Sequence, residues 1–160
     1  MSRHQKPTIA SNDVDMRRGV DYIGVSVNFV IHDGKGNVLL QKRSKNCRDE
    51  QGRWDVGGGS MEFGETLEEA VRREVKEELR AKALQIDFLK AYAVVRDNKG
   101  TKTHWVAFMH AVRVDPKQVT IGEPHKIDEI GWFNSKNLPS PLHSQFDKTF
   151  GTALELGFAI

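Results

Sequence analysis

Apolar positions along the chain change period three times. Tyr22-Ile-Gly-Val-Ser-Val-Asn-Phe-Val-Ile31 is β-branched and breaks at Asp33-Gly34-Lys35-Gly36-Asn37, and Val38-Leu39-Leu40-Gln41 follows. That order predicts a strand, a tight turn and a second strand, hence a hairpin. Residues 44–60 carry no regular period and end in Gly57-Gly58-Gly59, which predicts a charged, glycine-rich loop. Val71, Val75 and Leu79 then recur every four residues, the spacing of one helical face. Thr66 stands where a helix cap belongs, and Glu69 three residues later completes a capping box. Beyond the helix, Ile86 to Val95 and Thr103 to Val114 predict two strands about a turn at Asp97-Asn98-Lys99-Gly100. Ile127 to Phe133 predicts a short strand, and Asn134 to Pro141 a polar connection. Phe146, Phe150, Ala153 and Leu154 share a face and predict a closing helix. Several strands with two helices predict a layered α/β (α+β) fold.

Composition narrows the class. The chain has 160 residues, enough to bury a core without staples. Residues 1–18 are polar and aperiodic and predict an N-terminal tail, with one domain over residues 19–160. Lys plus Arg number 24 and Asp plus Glu 22, a net +2, so global charge gives no pull toward a nucleic-acid polymer or a membrane. The single cysteine, Cys47, excludes an internal disulfide and a cysteine-rich zinc site. No apolar run approaches the ~18 residues of a membrane span. The start lacks a secretory apolar stretch, so a cytoplasmic location is expected.

The residues suited to chemistry lie between Gly57 and Leu79. Glu74, Glu77 and Glu78 fall within an arc of about 100° on the predicted helix. Clustered like charges destabilise a helix by a few tenths of a kcal/mol per pair. A hard cation such as Mg²⁺, which takes oxygen ligands, would offset that repulsion. A solvated face with Arg72, Arg73 and Lys76 as partners is the plainer explanation. Two features weigh against it. Glu78 borders the apolar stripe, and the helix follows a glycine stretch whose backbone can approach a ligand closely.

The run from Gly59 through Glu65, Arg73, Glu74, Val75, Glu77 and Glu78 resembles the Nudix box: Gly, five residues, Glu, seven residues, Arg-Glu, an apolar residue, any residue, Glu-Glu. Two departures stand out. The glycine that usually closes the box is Arg80, and the usual Pro-Gly-Gly before it is Gly57-Gly58-Gly59. Arg53-Trp54-Asp55 ahead of the box and Glu129-Ile130-Gly131-Trp132-Phe133 behind it also resemble the family. The resemblance implies a Nudix fold, a mixed β-sheet sandwiched between α-helices. It also implies hydrolysis of a nucleoside diphosphate linked to another group, with Mg²⁺, or Mn²⁺, as cofactor. It implies that Glu74, Glu77, Glu78 and the Gly59 carbonyl hold the metal. Arg73 would orient the glutamates and Glu65 would brace the loop. Glu74 is favoured as the base, with Glu77 second and Glu129 third.

The resemblance further implies a role for Arg43 on substrate phosphates. Trp105 or Phe108 could stack on a base, but they lie on opposite faces of one strand, so only one can face a ligand. His104, His110, His125 and His143 show no metal spacing and read as surface or loop histidines, and Cys47 as a residue without a role. Arg80 leaves two options: the helix runs on through Ala81-Lys82-Ala83, or Arg80 takes the left-handed cap itself. The short chain and Glu123-Pro-His-Lys126 resemble the MutT-type enzymes. They favour conversion of a nucleoside triphosphate to a monophosphate and pyrophosphate. The alternatives are a nucleotide-sugar pyrophosphatase of the ADP-ribose type and a non-catalytic nucleotide-binding module. The expected partner is a small nucleotide, and a homodimer is the assembly the resemblance allows.

Overall fold

The computed structural model describes residues 15–155, so most of the predicted tail lies outside the described residues. The strands are β1 (Gly24–His32), β2 (Asn37–Arg43), β3 (Trp54–Asp55), β4 (Gly57–Ser60), β5 (Gln85–Asn98), β6 (Thr101–Arg113) and β7 (Ile127–Asn134). The helices are α1 (Leu67–Leu79) and α2 (Phe146–Glu155). One mixed sheet runs in the order β3-β2-β1-β6-β5, with β4 added to β1 and β7 to β2. Strand β1 is the hub. It runs parallel to β6 from Gly24 to His32, pairs antiparallel with the glycine strand β4 through Ser26–Phe29, and turns back on β2 at Ile31 and His32. The hairpin expected between β1 and β2 is present, its turn tied by Asp33, whose carboxylate accepts the N–H groups of Lys35 and Asn37.

Alternation along β1 splits the core in two. Val27, Phe29 and Ile31 pack under Val71, Val75 and Leu79 of α1, while Val30 joins Val38, Leu40 and Met109 beneath Phe146, Phe150 and Ala153 of α2. Burying each such side chain contributes about 1.5–3 kcal/mol. The two clusters are the two faces of the sandwich. No helix among the described residues is long and apolar enough to cross a membrane.

Helix α1 begins and ends for identifiable reasons. The Thr66 hydroxyl accepts the Glu69 N–H, and the Glu69 carboxylate accepts the Thr66 N–H at 2.8 Å, so the predicted capping box is formed. At the other end Arg80 takes the left-handed conformation, φ 52° and ψ 17°, and the helix does not continue into Ala81–Ala83. Tertiary contacts outweigh the helix propensity of that segment. Thr120 N–H donates to the Leu79 carbonyl at 2.9 Å and Gly122 N–H to the Glu78 carbonyl at 2.7 Å, which uses the last carbonyls and blocks another turn. Ala81 and Ala83 are buried instead in the cluster under α1.

Residues 44–60 are less irregular than the sequence predicts. β3 and β4 lie there, too short and too rich in glycine to show alternation.

Candidate active site

Strand β4 delivers the glycines to the inner side of α1. A Cβ at Gly59 would overlap the Glu74 carboxyl group, and one at Gly57 would overlap Phe29 and approach the Glu78 carboxylate. The bare backbone is therefore what lets two carboxylates lie directly on the strand. Glu78 is buried. One of its oxygens, Oε2, accepts the Gln41 amide at 3.0 Å and the Gly58 N–H at 3.3 Å. Burial pushes its carboxyl up to about 8, with Glu74 and Glu123 adding to the rise and the Gln41 hydrogen bond opposing it. Burial also raises Glu74, against the pull of Arg73.

Arg73 organises the cluster. Its guanidinium donates to Glu65 at 2.6 and 2.9 Å, to Glu74 at 2.7 Å, to Glu77 at 3.3 Å and to the Ser60 carbonyl at 3.0 Å. Glu65 also accepts the Glu62 N–H at 2.9 Å, fastening the loop before α1, and its carboxyl is held down at about 2 chiefly by the Arg73 hydrogen bonds. Among the described residues no three His, Cys, Asp or Glu side chains form a ready-made metal cage. The guanidinium stands between Glu74 and Glu77 and supplies the positive charge there. The donor set nevertheless fits a hard cation. Every candidate group offers oxygen, Glu77 is 48% exposed, and the Glu74 carboxyl already lies against Gly59.

Beside a cleft of about 720 Å³ lined by Gly59, Ser60, Arg73, Glu74, Glu77 and Lys126, two further clefts meet at this strand. One, of about 320 Å³, is lined by Gln41, Lys42, Arg43, Arg48, Lys126 and Glu78. The other, of about 300 Å³, runs from Gly58, Gly59 and Ser60 toward Tyr92, Arg96 and Trp105. Arg43 and Asp55 border both. Arg43 is held by Asp49 at 2.8 Å, and Arg96 on β5 donates to Asp49 and to Glu50, each at 3.2 Å. These pairs strap the 44–53 segment across the cleft walls.

The predicted residues therefore separate. Gly59, Arg73, Glu74, Glu77 and Glu78 come together, with Arg43 one strand away. Trp105 lines the second cleft, its ring packed so tightly under the N-terminal segment that a Cβ at Gly19 or Gly24 would overlap it. Phe108 points to the other face, into the α1 cluster and against Phe88, so it does not face the cleft. Glu129 is 58% exposed on β7, paired with Lys42 at 3.6 Å. His110 departs from the surface-or-loop reading, since it is buried on β6 beside Phe88, while His143 lies in the loop before α2, as read, and lines the second cleft facing Asp55. Cys47 borders the first cleft and its thiol donates to the Lys126 carbonyl. Sequence reasoning missed Asp55, Arg96 and His143, whose partners lie about 40 or more residues away along the chain.

The fold and box geometry define a class, and comparison with known proteins gives the same one. The model of the NUDIX domain matches residues 23–154, and the chain belongs to the Nudix hydrolase family. Among curated relatives, the chain is 31% identical over 138 residues to an ADP-ribose pyrophosphatase of Methanocaldococcus jannaschii, covering 86% of this chain and 77% of that one. It is 42% identical over 74 residues to the nucleoside triphosphatase NudI of an Enterobacter strain, and 26% identical over 133 residues to the mouse 8-oxo-dGDP phosphatase NUDT18. The matched regions span 51% and 38% of those two relatives. Of solved structures, a MutT Nudix hydrolase from Burkholderia pseudomallei superposes with a TM-score of 0.72 at 27% identity, over 82% of this chain and 98% of the other.

Proposed function

We propose that this chain is a Mg²⁺-dependent pyrophosphohydrolase that adds water across a phosphoric anhydride of a nucleotide. The observation that carries this reading is the placement of Glu74 and Glu78 against the bare backbone of β4, where a cation-lined cleft meets a cleft with aromatic and polar walls. Glu74, Glu77, Glu78 and the Gly59 carbonyl are the groups that would hold the ion. When bound, the ion lowers the pKa of water and neutralises charge on the phosphoryl oxygens. Arg73 fixes one oxygen of Glu74 at 2.7 Å and leaves the other without a hydrogen bond among the described residues, which suits Glu74 to take the proton of the attacking water. Lys42, Arg43 and Lys126 face the polyphosphate as point charges or forks. Arg43 is preset by Asp49, so less side-chain entropy is lost on binding.

The substrate we favour is a nucleoside triphosphate, cleaved to monophosphate and pyrophosphate. The likeness to the Enterobacter nucleoside triphosphatase supports it. A second reading, ADP-ribose cleaved to AMP and ribose phosphate, draws on the longer match to the archaeal pyrophosphatase. Incubation of purified protein with Mg²⁺ and a panel of nucleoside triphosphates, 8-oxo-dGDP and ADP-ribose, with products identified, decides between them. Monophosphate with pyrophosphate supports the first reading and AMP with ribose phosphate the second. Binding without turnover of any member would show a binding module and contradict both.

A further inference from the structure

The cleft that holds Glu74 and Glu77 takes part of its wall from the N-terminal segment. Arg18 lines it together with Glu62 and Phe63 of the loop before α1. The residues that match the NUDIX domain begin only at 23, so Arg18 lies outside them. A tight turn sets this arginine in place. Gly19, at φ 76°, donates its N–H to the Tyr22 carbonyl at 2.8 Å, and its own carbonyl accepts the His104 N–H of β6 at 2.8 Å. The Trp105 ring closes over the same glycine, where any Cβ would overlap it. The Asp21 carboxylate clasps the turn by accepting the Arg17 backbone N–H at 2.8 Å and Nε–H at 3.1 Å. From this anchored turn one guanidinium nitrogen of Arg18 donates to the Met61 carbonyl at 3.1 Å, just past β4.

The charges on this cleft are unevenly matched. Arg73 is taken by Glu65, Glu74 and Glu77, and Lys126 by Glu123 at 2.9 Å. Arg18 has no carboxylate partner among the described residues, although Glu62 and Glu77 line the same cleft. Its remaining donors are open to an anion, and a guanidinium fork suits phosphate oxygens. Gly59 and Ser60 border both this cleft and the one that runs toward Tyr92 and Trp105. A nucleotide with its nucleoside in the latter passes its phosphates over β4, and its far end comes to the Met61 side. We propose that Arg18 binds the phosphate beyond the anhydride that is cleaved, which makes the N-terminal turn part of the site. This rests on the reading of the chain as a nucleotide hydrolase. A purely structural Arg18 that only pins the Met61 loop would serve every ligand equally. One that binds the far phosphate distinguishes ligands by their phosphate count.

Calorimetric titration in Mg²⁺ tests this with AMP, GMP and UMP and with their α,β-methylene diphosphates, whose bridging carbon resists hydrolysis. The members of each pair differ by the far phosphate. In the wild-type protein the diphosphate of the best-bound pair should bind at least ~10-fold more tightly than the monophosphate. Arg18→Ala should reduce that ratio by at least ~5-fold, the loss expected for a charge-assisted hydrogen bond at an exposed site. Its monophosphate affinity and melting temperature should stay as in the wild type, because the side chain is exposed. Arg18→Lys, which keeps the charge and loses the fork, should fall between them. A ratio that survives in Arg18→Ala overturns the proposal, as does an equal weakening of both members, which marks a loop-pinning role only. A wild-type protein that shows no such ratio, or binds none of these ligands, overturns it as well. A ratio that depends on Arg18 without hydrolysis of any nucleotide would sink the hydrolase reading and leave the phosphate contact standing. Hydrolysis with a ratio indifferent to Arg18 would do the reverse.

Discussion

Glu77 separates a ligand from a surface charge more cleanly than its neighbours do. Glu74 and Glu78 are buried and lean on β4, so their replacement disturbs packing as well as chemistry. Glu77 is half-exposed, with Arg73 as its ion-pair partner at 3.3 Å. Glu77→Gln keeps volume and helix propensity. The lost pair costs under about 1 kcal/mol, and relief of repulsion within the glutamate cluster offsets part of that. Melting should thus be nearly unchanged. Turnover should fall by at least ~10²-fold if Glu77 holds the ion, since each 1.36 kcal/mol of lost transition-state stabilisation is about tenfold. A melting curve and one steady-state assay check this, and near-normal turnover removes Glu77 from the metal site.

At the scale of elements, the account rests on how α1 meets β4 and how α1 ends. Gly59→Ala places a methyl group where the Glu74 carboxyl lies. That carboxyl is the end of a flexible side chain, so a shifted rotamer costs about 0.5–1.5 kcal/mol. The displaced ligand should nevertheless lower turnover by ~10-fold or more, because small misplacements at a reacting centre are amplified. Loss of stability without loss of turnover would count against a catalytic role for this contact. At the helix end, Arg80→Gly should stabilise the fold by up to about 1 kcal/mol, since φ is 52° there and glycine adopts it without a Cβ penalty. Denaturant melts of the two proteins measure it, and a destabilised variant would contradict the reading. The sequence made α1 legible because its signals are local: a capping box, a four-residue apolar repeat and glutamates at fixed offsets. It left the stop at Arg80 open because the deciding partners, Thr120 and Gly122, lie about 40 residues on and bond the last carbonyls. β3 and β4 escaped because a two-residue strand and a Gly-Gly-Gly-Ser strand carry no alternation to read.

For the whole molecule, the sheet's job is to bring distant segments to one line. β1 pairs with β4, β2 and β6 at once, so the box glycines, the cationic end of β2 and the Trp105 segment of β6 border connected clefts. The family and the box positions were legible from spacing. The second cleft was not, because Asp55 and His143 meet only after β3 and the loop leading into α2 are brought together. Folding puts glutamates around bare backbone beside a phosphate-sized cationic wall, and the central claim is that this arrangement hydrolyses nucleotide anhydrides with a divalent ion. The direct measurement is the rate of nucleoside monophosphate release by purified protein in EDTA and after addition of Mg²⁺ or Mn²⁺. The account predicts no turnover in chelator and recovery with either ion, whereas full turnover in chelator would contradict it.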